Sequence, residues 1–454
     1  MFNLNSGYFM RIGFLDFSVT FFTRIVVLLT TLGSQSCLAW ILGPDGRGAY
    51  AVCLVFIVIL TLVFFLGCDS ACIYFVAAKH FTPSEGFVYA VIYCAIGSFL
   101  AVVTGIFILE LPLEIIAKAT PAQFHVAILA IPFGIFSTVF LRLFIAMKEI
   151  ACFSIITIIS NVSNLLFTLA LVWYFQTGVE GALFANVVSE AVTIILCCYY
   201  LRTRFGIGWA YPRLDGMKKI LVYGSKYYIG KVSNQANAQM GTMLMAFFSN
   251  AAEIGLFSVA MRLMTQVMII PDSLNKVLSP RIAGDLEGRK ELVARCFRLA
   301  GFSCGALLLF TALLAHPIVT VLFSPAFLPA VPLIHVLAVG MTLRCGSKML
   351  EPYLLGTNRP GTASFSVAIG AGVNILLLYF LLPRIGMMGA AIGVVGSHLA
   401  SLLVLCLAFF RHSGYGPADI FCIRVSDLRM VGDALKGMIR SFNQKSRPKE
   451  ENNS

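Results

Sequence analysis

The chain has 454 residues, 59% hydrophobic and only 12% charged, with a mean hydropathy of +0.89. A water-facing domain needs far more charge, so a soluble fold is excluded and the chain reads as an all-α integral membrane protein. The net charge of +12 fits membrane topology and anionic headgroups rather than nucleic-acid binding.

In chain order, the first apolar run continues past Asp16 with no small-residue cleavage site, which marks a retained span and not a signal peptide. A crossing helix needs roughly 20 apolar residues. That length predicts twelve transmembrane helices, at 15–41, 48–77, 86–109, 120–146, 151–175, 180–202, 218–248, 254–278, 297–322, 329–353, 361–383 and 388–411. Turn chemistry separates them, as in Leu42-Gly43-Pro44-Asp45-Gly46 and Asn358-Arg359-Pro360-Gly361. Odd-numbered connectors carry only Arg47, Lys118 and Arg384, whereas even ones hold Arg202, Arg204, Arg213, Lys218, Lys219, Arg281, Arg289, Lys290 and Arg295. The positive-inside rule then places both termini in the cytoplasm. Residues 1–202 are expected to form an N-terminal lobe, 203–217 a cytoplasmic linker, 218–411 a C-terminal lobe and 412–454 a cytoplasmic tail. In the tail, Leu428, Val431, Leu435, Met438 and Phe442 predict a basic amphipathic helix on the inner leaflet.

The two lobes are copies. Gly48, Tyr50 and Val52 align at an offset of 207 with Gly255, Phe257 and Val259. Gly178, Gly181, Ala182 and Ser189 align at 208 with Gly386, Gly389, Ala390 and Ser397. His125 and Asn164 align at 210 with His335 and Asn374. Several matches in chain order at nearly constant spacing mark an internal duplication, and such repeats in transporters enclose a central cavity.

Buried charge points to where that cavity lies. Arg24, with Thr31 and Gln35, makes one polar stripe on the first span, and Lys231 sits at the matching point of the seventh, the most polar helix, beside Asn234, Gln235 and Asn237. An arginine facing lipid at mid-span is costly, so this stripe is predicted to face the interior. Arg24, Lys231, Gln35, Asn234, Asn237, Arg262 and Arg344 are the candidate cavity residues, and Asp69, Glu190, Asp272 and Glu351 are candidates for ion coupling. Part of the set can be self-neutralising scaffold: Asp272 lies four residues from Lys276, and Arg344, Lys348 and Glu351 share a helix face. Asn164 and Asn374 read first as interhelical hydrogen-bond partners, and His398 as a weaker candidate for proton coupling. The thirteen cysteines lie mostly in apolar runs. They support neither a disulfide framework nor a metal site, and no cofactor is expected.

The segment Leu42 to Tyr50, the Gly255-Leu256-Phe257-Ser258-Val259-Ala260 start of the eighth span and its Pro271 to Pro280-Arg281 exit resemble the polysaccharide exporters of the MOP superfamily, most closely the Wzx-type flippases for O-antigen and related repeat units. The resemblance covers about residues 10–411. It implies a two-lobed, V-shaped transporter in a bacterial inner membrane. Such a protein moves an undecaprenyl-diphosphate-linked oligosaccharide from the cytoplasmic to the periplasmic leaflet by alternating access, beside a polymerase of the same pathway. A multidrug or other solute exporter of the superfamily is the alternative, disfavoured by the surplus of intramembrane bases. A membrane glycan polymerase or acyltransferase is remoter, since no long polar outer loop is present.

Overall fold

The computed structural model describes residues 6–65, 67–112, 116–268, 271–272, 289–357 and 359–421. Side chains are described from residue 22 onward, and between 226 and 238 only for Tyr228, Val232 and Gln235. The described residues form helices and no strand: α1 (Ser6–Phe65), α2 (Cys68–Ala77), α3 (Pro83–Leu109), α4 (Pro121–Ala146), α5 (Ile150–Thr168), α6 (Gly178–Thr203), α7 (Leu214–Phe248) and α8 (Ala251–Gln266) make up the first part of the chain. Then follow α9 (Arg289–Leu313), α10 (Ala315–Phe323), α11 (Val331–Gly356), α12 (Pro360–Ile385), α13 (Met387–Ser413) and α14 (Pro417–Phe421). Among the described residues nine helices are long and apolar enough to cross a membrane. The longest of these, Phe22–Phe65, joins the first expected span to the second. The eighth expected span is described only to Asp272, and the amphipathic pattern at 428–442 lies outside the described residues.

Local chemistry explains the helix limits. Gly43 breaks α1 at φ 63°, immediately before Pro44, because a residue preceding proline avoids the helical region and glycine alone takes a positive φ freely. Helices α3 and α4 each begin with a threonine capping box and a proline in the first turn, Thr82 with Glu85 and Thr120 with Gln123. One turn of π-helix, Leu169–Tyr174, extends α5. Gly178 and Gly386, matched by the duplication, both turn the chain at positive φ.

Packing follows small residues. On α3, Gly86, Ala90, Cys94, Gly97, Ala101 and Gly105 are buried at helical spacing, which lets neighbouring backbones approach where lipid supplies no hydrophobic drive. Phe99, Ile195, Phe302, Leu309, Leu376 and Leu407 stay exposed around the outside. An apolar rim on helices, whose backbone groups bond mostly within the helix, suits a hydrocarbon surround. The core runs continuously through helices of both halves, including Phe56, Phe124, Phe257, Met341 and Phe409.

Candidate functional site

Two cavities lie inside the bundle, separated by α8, whose Met261 and Thr265 line both. The larger, of ≈ 590 Å³, is walled by α1, α5 and α6 on one side and by α7 and α8 on the other. Arg47 sits in its wall at 4% exposure. Its Nη2 donates to Oε1 of Gln35, and its guanidinium lies 5.3 Å from the centroid of the Tyr50 ring, a cation–π contact. Among the described residues, Nε and Nη1 have no partner.

A hydrogen-bond chain fixes that arrangement. Nδ2 of Asn164 donates to Oδ1 of Asn186 at 2.9 Å and to Ser189 Oγ at 3.3 Å. Nδ2 of Asn186 donates to the Tyr50 hydroxyl at 2.6 Å. Three helices are thereby tied to the ring under Arg47. Arg262 lines the same cavity from α8, and Glu190 lines it one helical turn beyond Asn186. Two buried guanidinium donors without partners are costly in a low-dielectric interior unless an acceptor arrives. The cavity therefore suits an anion, held by planar charged donors.

The smaller cavity, of ≈ 270 Å³, is lined by Asp272, Arg344, Lys348, Asn374, Ser397 and His398 among others. Lys348 donates to Asp272, so one of its bases is neutralised within the wall. Through the duplication this cavity repeats the first: Asn374 stands for Asn164, Ser397 for Ser189 and His398 for Glu190. The rest of the chain is missing from it. Tyr50 becomes Phe257, which has no hydroxyl, and Asn186 becomes Val394, while Arg47 becomes Ile254. Asn374, 1% exposed, is left with its Oδ1 unpartnered among the described residues.

The halves touch near each end of the α1 segment that follows the Gly43 break. At one end the contact is reciprocal: a side chain on Gly48 would strike the Ala251 carbonyl, and one on Gly255 would strike the Pro44 carbonyl. Pro44 and Ala251 are themselves matched at offset 207. Toward the opposite end Gly67 abuts the Gly224 carbonyl, and Tyr74 stacks on Tyr223 with ring centroids 4.5 Å apart.

Of the residues singled out by sequence, Gln35, Arg262 and Glu190 line the larger cavity. Arg344 and Asp272 line the smaller. Arg24 is half-buried and lines neither cavity. Lys231, Asn234 and Asn237 lie on α7 with side chains outside the described set. Asp69, 1% exposed, is bound by Arg142 at 2.7 Å, and neither lines a cavity. Glu351 is half-buried, outside both. Asp272 pairs with Lys348 on α11; its near neighbour Lys276 lies outside the described residues. Arg47, counted by sequence with an outer connector, is the main correction. A signal was present: its partner in the second copy, Ile254, is apolar and helical, which argues against a loop. Asn164 both bonds across helices and lines the cavity.

Residues 16–284 match the family model described as "Polysaccharide biosynthesis protein". The probable flippase AglR of Haloferax volcanii is 23% identical over 245 residues, covering 52% of this chain and 50% of that protein. The uncharacterized membrane protein MJ1068 of Methanocaldococcus jannaschii is 33% identical over 78 residues, 17% of this chain and 15% of that one. The chain thus spans about half the length of the first relative and less of the second. Among solved structures, the lipid II flippase MurJ in an inward closed conformation superposes with a TM-score of 0.71 at 14% identity, over 96% of this chain and 94% of that one. A multidrug resistance MATE family transporter of the MOP superfamily, inward-facing, gives 0.69 at 16% identity, over 86% and 98%. The matched length, more than half the chain, and the shared helical architecture place this protein in the polysaccharide biosynthesis protein family, on the fold of the MOP-superfamily transporters.

Proposed function

We propose that this protein is a flippase for lipid-linked oligosaccharide, carrying an undecaprenyl-diphosphate-linked repeat unit of O-antigen, capsule or exopolysaccharide from the cytoplasmic to the periplasmic leaflet of a bacterial inner membrane. The observation that carries the reading is Arg47: a buried guanidinium with two donors unpartnered among the described residues, in the wall of a cavity between the halves that Arg262 also lines. A diphosphate offers the acceptors those donors lack. The polyprenyl tail can remain in the bilayer while the head crosses through the wet, positive interior. In this reading 1–202 and 218–411 are the moving lobes, joined by 203–217, with both termini cytoplasmic. Gly48 with Gly255, and Gly67 with Gly224, are the contacts that open alternately. Arg24, Lys231, Asn234 and Asn237 extend the polar path along α1 and α7. The relatives' printed names, a probable flippase and a lipid II flippase, support the class.

The test is the sidedness of lipid-linked glycan in a deletion strain, read with an impermeant glycosidase on spheroplasts and on inverted vesicles. Full-length units reachable only from the cytoplasmic face are expected. Units reachable from outside at the normal rate would refute the function.

A further inference from the structure

The larger cavity is not uniformly cationic. Its first-half wall descends from Arg47 as a ladder of neutral polar groups that ends in an acid. Asn164 and Asn186 stand level with the Tyr50 hydroxyl, since both belong to the chain that reaches it. One turn further, α5 presents Asn161 and α6 presents Glu190. The 2.7 Å bond from Thr193 to Ser160 closes the ladder below them, and fixes the register of the two helices. Asn161, which lines the cavity, uses its Nδ2 on the Thr157 carbonyl at 2.8 Å, so its Oδ1 remains to accept. Glu190 makes no ion pair among the described residues; its carboxyl has a hydrogen-bond partner in Ser137 of α4.

A helical turn rises ~5.4 Å, about the span of one pyranose ring. Amide and carboxyl groups set one turn apart supply the mixed donors and acceptors that a ring of hydroxyls requires. The cavity volume of ≈ 590 Å³ suits a head group of modest size and not a polymer. Charge runs the same way along the wall, with guanidinium at one end and carboxyl at the other.

We infer that the wall formed by Asn161, Asn164, Asn186 and Glu190 is a subsite for the first sugar next to the diphosphate, and that it selects a neutral sugar over a uronic acid. This rests on the diphosphate-cavity reading above. With the phosphates on Arg47, the first ring lies against Asn161 and Glu190. A neutral ring hydrogen-bonds both side chains. A uronate there sets a second carboxylate against Glu190, and like charges in a low-dielectric site repel.

The experiment measures binding of three lipids to the full-length protein in nanodiscs: undecaprenyl diphosphate, the same lipid carrying one N-acetylhexosamine, and the same lipid carrying one hexuronate. Two or three added hydrogen bonds are expected to make the neutral glycolipid bind about tenfold tighter than the bare diphosphate, with no gain for the hexuronate. Asn161→Leu is expected to erase the neutral sugar's gain and leave the affinity for bare undecaprenyl diphosphate unchanged. Glu190→Gln, nearly isosteric, is expected to let the hexuronate gain as the neutral sugar does. Equal binding of both glycolipids by the wild type would overturn the subsite, as would a hexuronate still rejected by Glu190→Gln. Asn161→Leu weakening all three lipids alike would overturn it too. A wild type that binds none of the three would instead remove the diphosphate reading on which the subsite stands.

Discussion

The two halves began as one sequence, and their cavities now differ in what happens to a single asparagine. In the first half Asn164 finds Asn186, and through it Tyr50 and Arg47, so that a buried cation is held in place with two donors to spare. In the second half Asn374 faces a wall where those positions are Val394, Phe257 and Ile254, and its Oδ1 has no partner. The cavity there is less than half the size, and Lys348 is neutralised by Asp272. The matched positions carry different residues, and the unmet guanidinium donors lie on one side only among the described residues. Where the halves are still alike, at Gly48 and Gly255, they touch each other.

The largest effect is expected where the symmetry survives. Gly48→Leu or Gly255→Leu drives a side chain into a backbone carbonyl that cannot swing away. A cost of about 3 kcal/mol shifts the closed population roughly a hundredfold. Surface glycan should fall to background in both variants, and a disulfide between cysteines placed at Pro44 and Ala251 should no longer form. An effect from one glycine alone would break the symmetry argument.

Next comes the contrast between cations. Arg47→Ala is expected to weaken binding of undecaprenyl diphosphate by roughly 30-fold, the conversion of about 2 kcal/mol for a lost buried charged donor. Arg344→Ala, in the smaller cavity, should change it by no more than about threefold, near the scatter of a screened contact. Equal losses would mean that the two cavities share the head group.

Asn186→Leu makes the first half resemble the second. It leaves the amide of Asn164 only the longer bond to Ser189 and frees the Tyr50 hydroxyl, for an expected loss of ~1–3 kcal/mol in stability, read as a lower thermal midpoint in detergent. Anion binding should weaken by about fivefold as Arg47 loses its platform. A midpoint that does not move would deny the hydrogen-bond chain any structural part.

The smallest effect comes from the reverse change. Val394→Asn offers Asn374 the partner that its counterpart has, and should raise the thermal midpoint slightly, by the ~1 kcal/mol of one buried hydrogen bond. A buried polar group introduced without a waiting partner lowers stability instead. A clear fall in the midpoint would show that the vacancy at Asn374 has no bearing on that wall.

Much of this fold was legible in the chain. Apolar run lengths, the Gly43-Pro44 break, the threonine caps of α3 and α4 and the offset between the copies rest on periodicity and local backbone rules, which operate within a few residues. The candidate site was legible in part. Gln35, Glu190 and Arg262 were drawn from the cost of burying polar groups in lipid, and they do line the larger cavity. Arg47 was missed because turn residues surround it, and a positive charge near Gly46 and Gly48 reads as a solvated connector. Asp69 was seen as a lone acid, because Arg142 lies 73 residues away.

What the sequence determined by itself is the solvent of this protein, its helical class and its two-copy plan, because each follows from composition or from spacing along the chain. The tertiary structure decided which charges are used up and which are spare. Pairing of Asp69 with Arg142 and of Asp272 with Lys348, and the burial of Arg47 in a cavity wall with two donors unmet among the described residues, depend on helices far apart in the chain. A charge inside a membrane protein is scaffold or site according to what faces it across a few ångströms, and that distance is set by packing, not by sequence order.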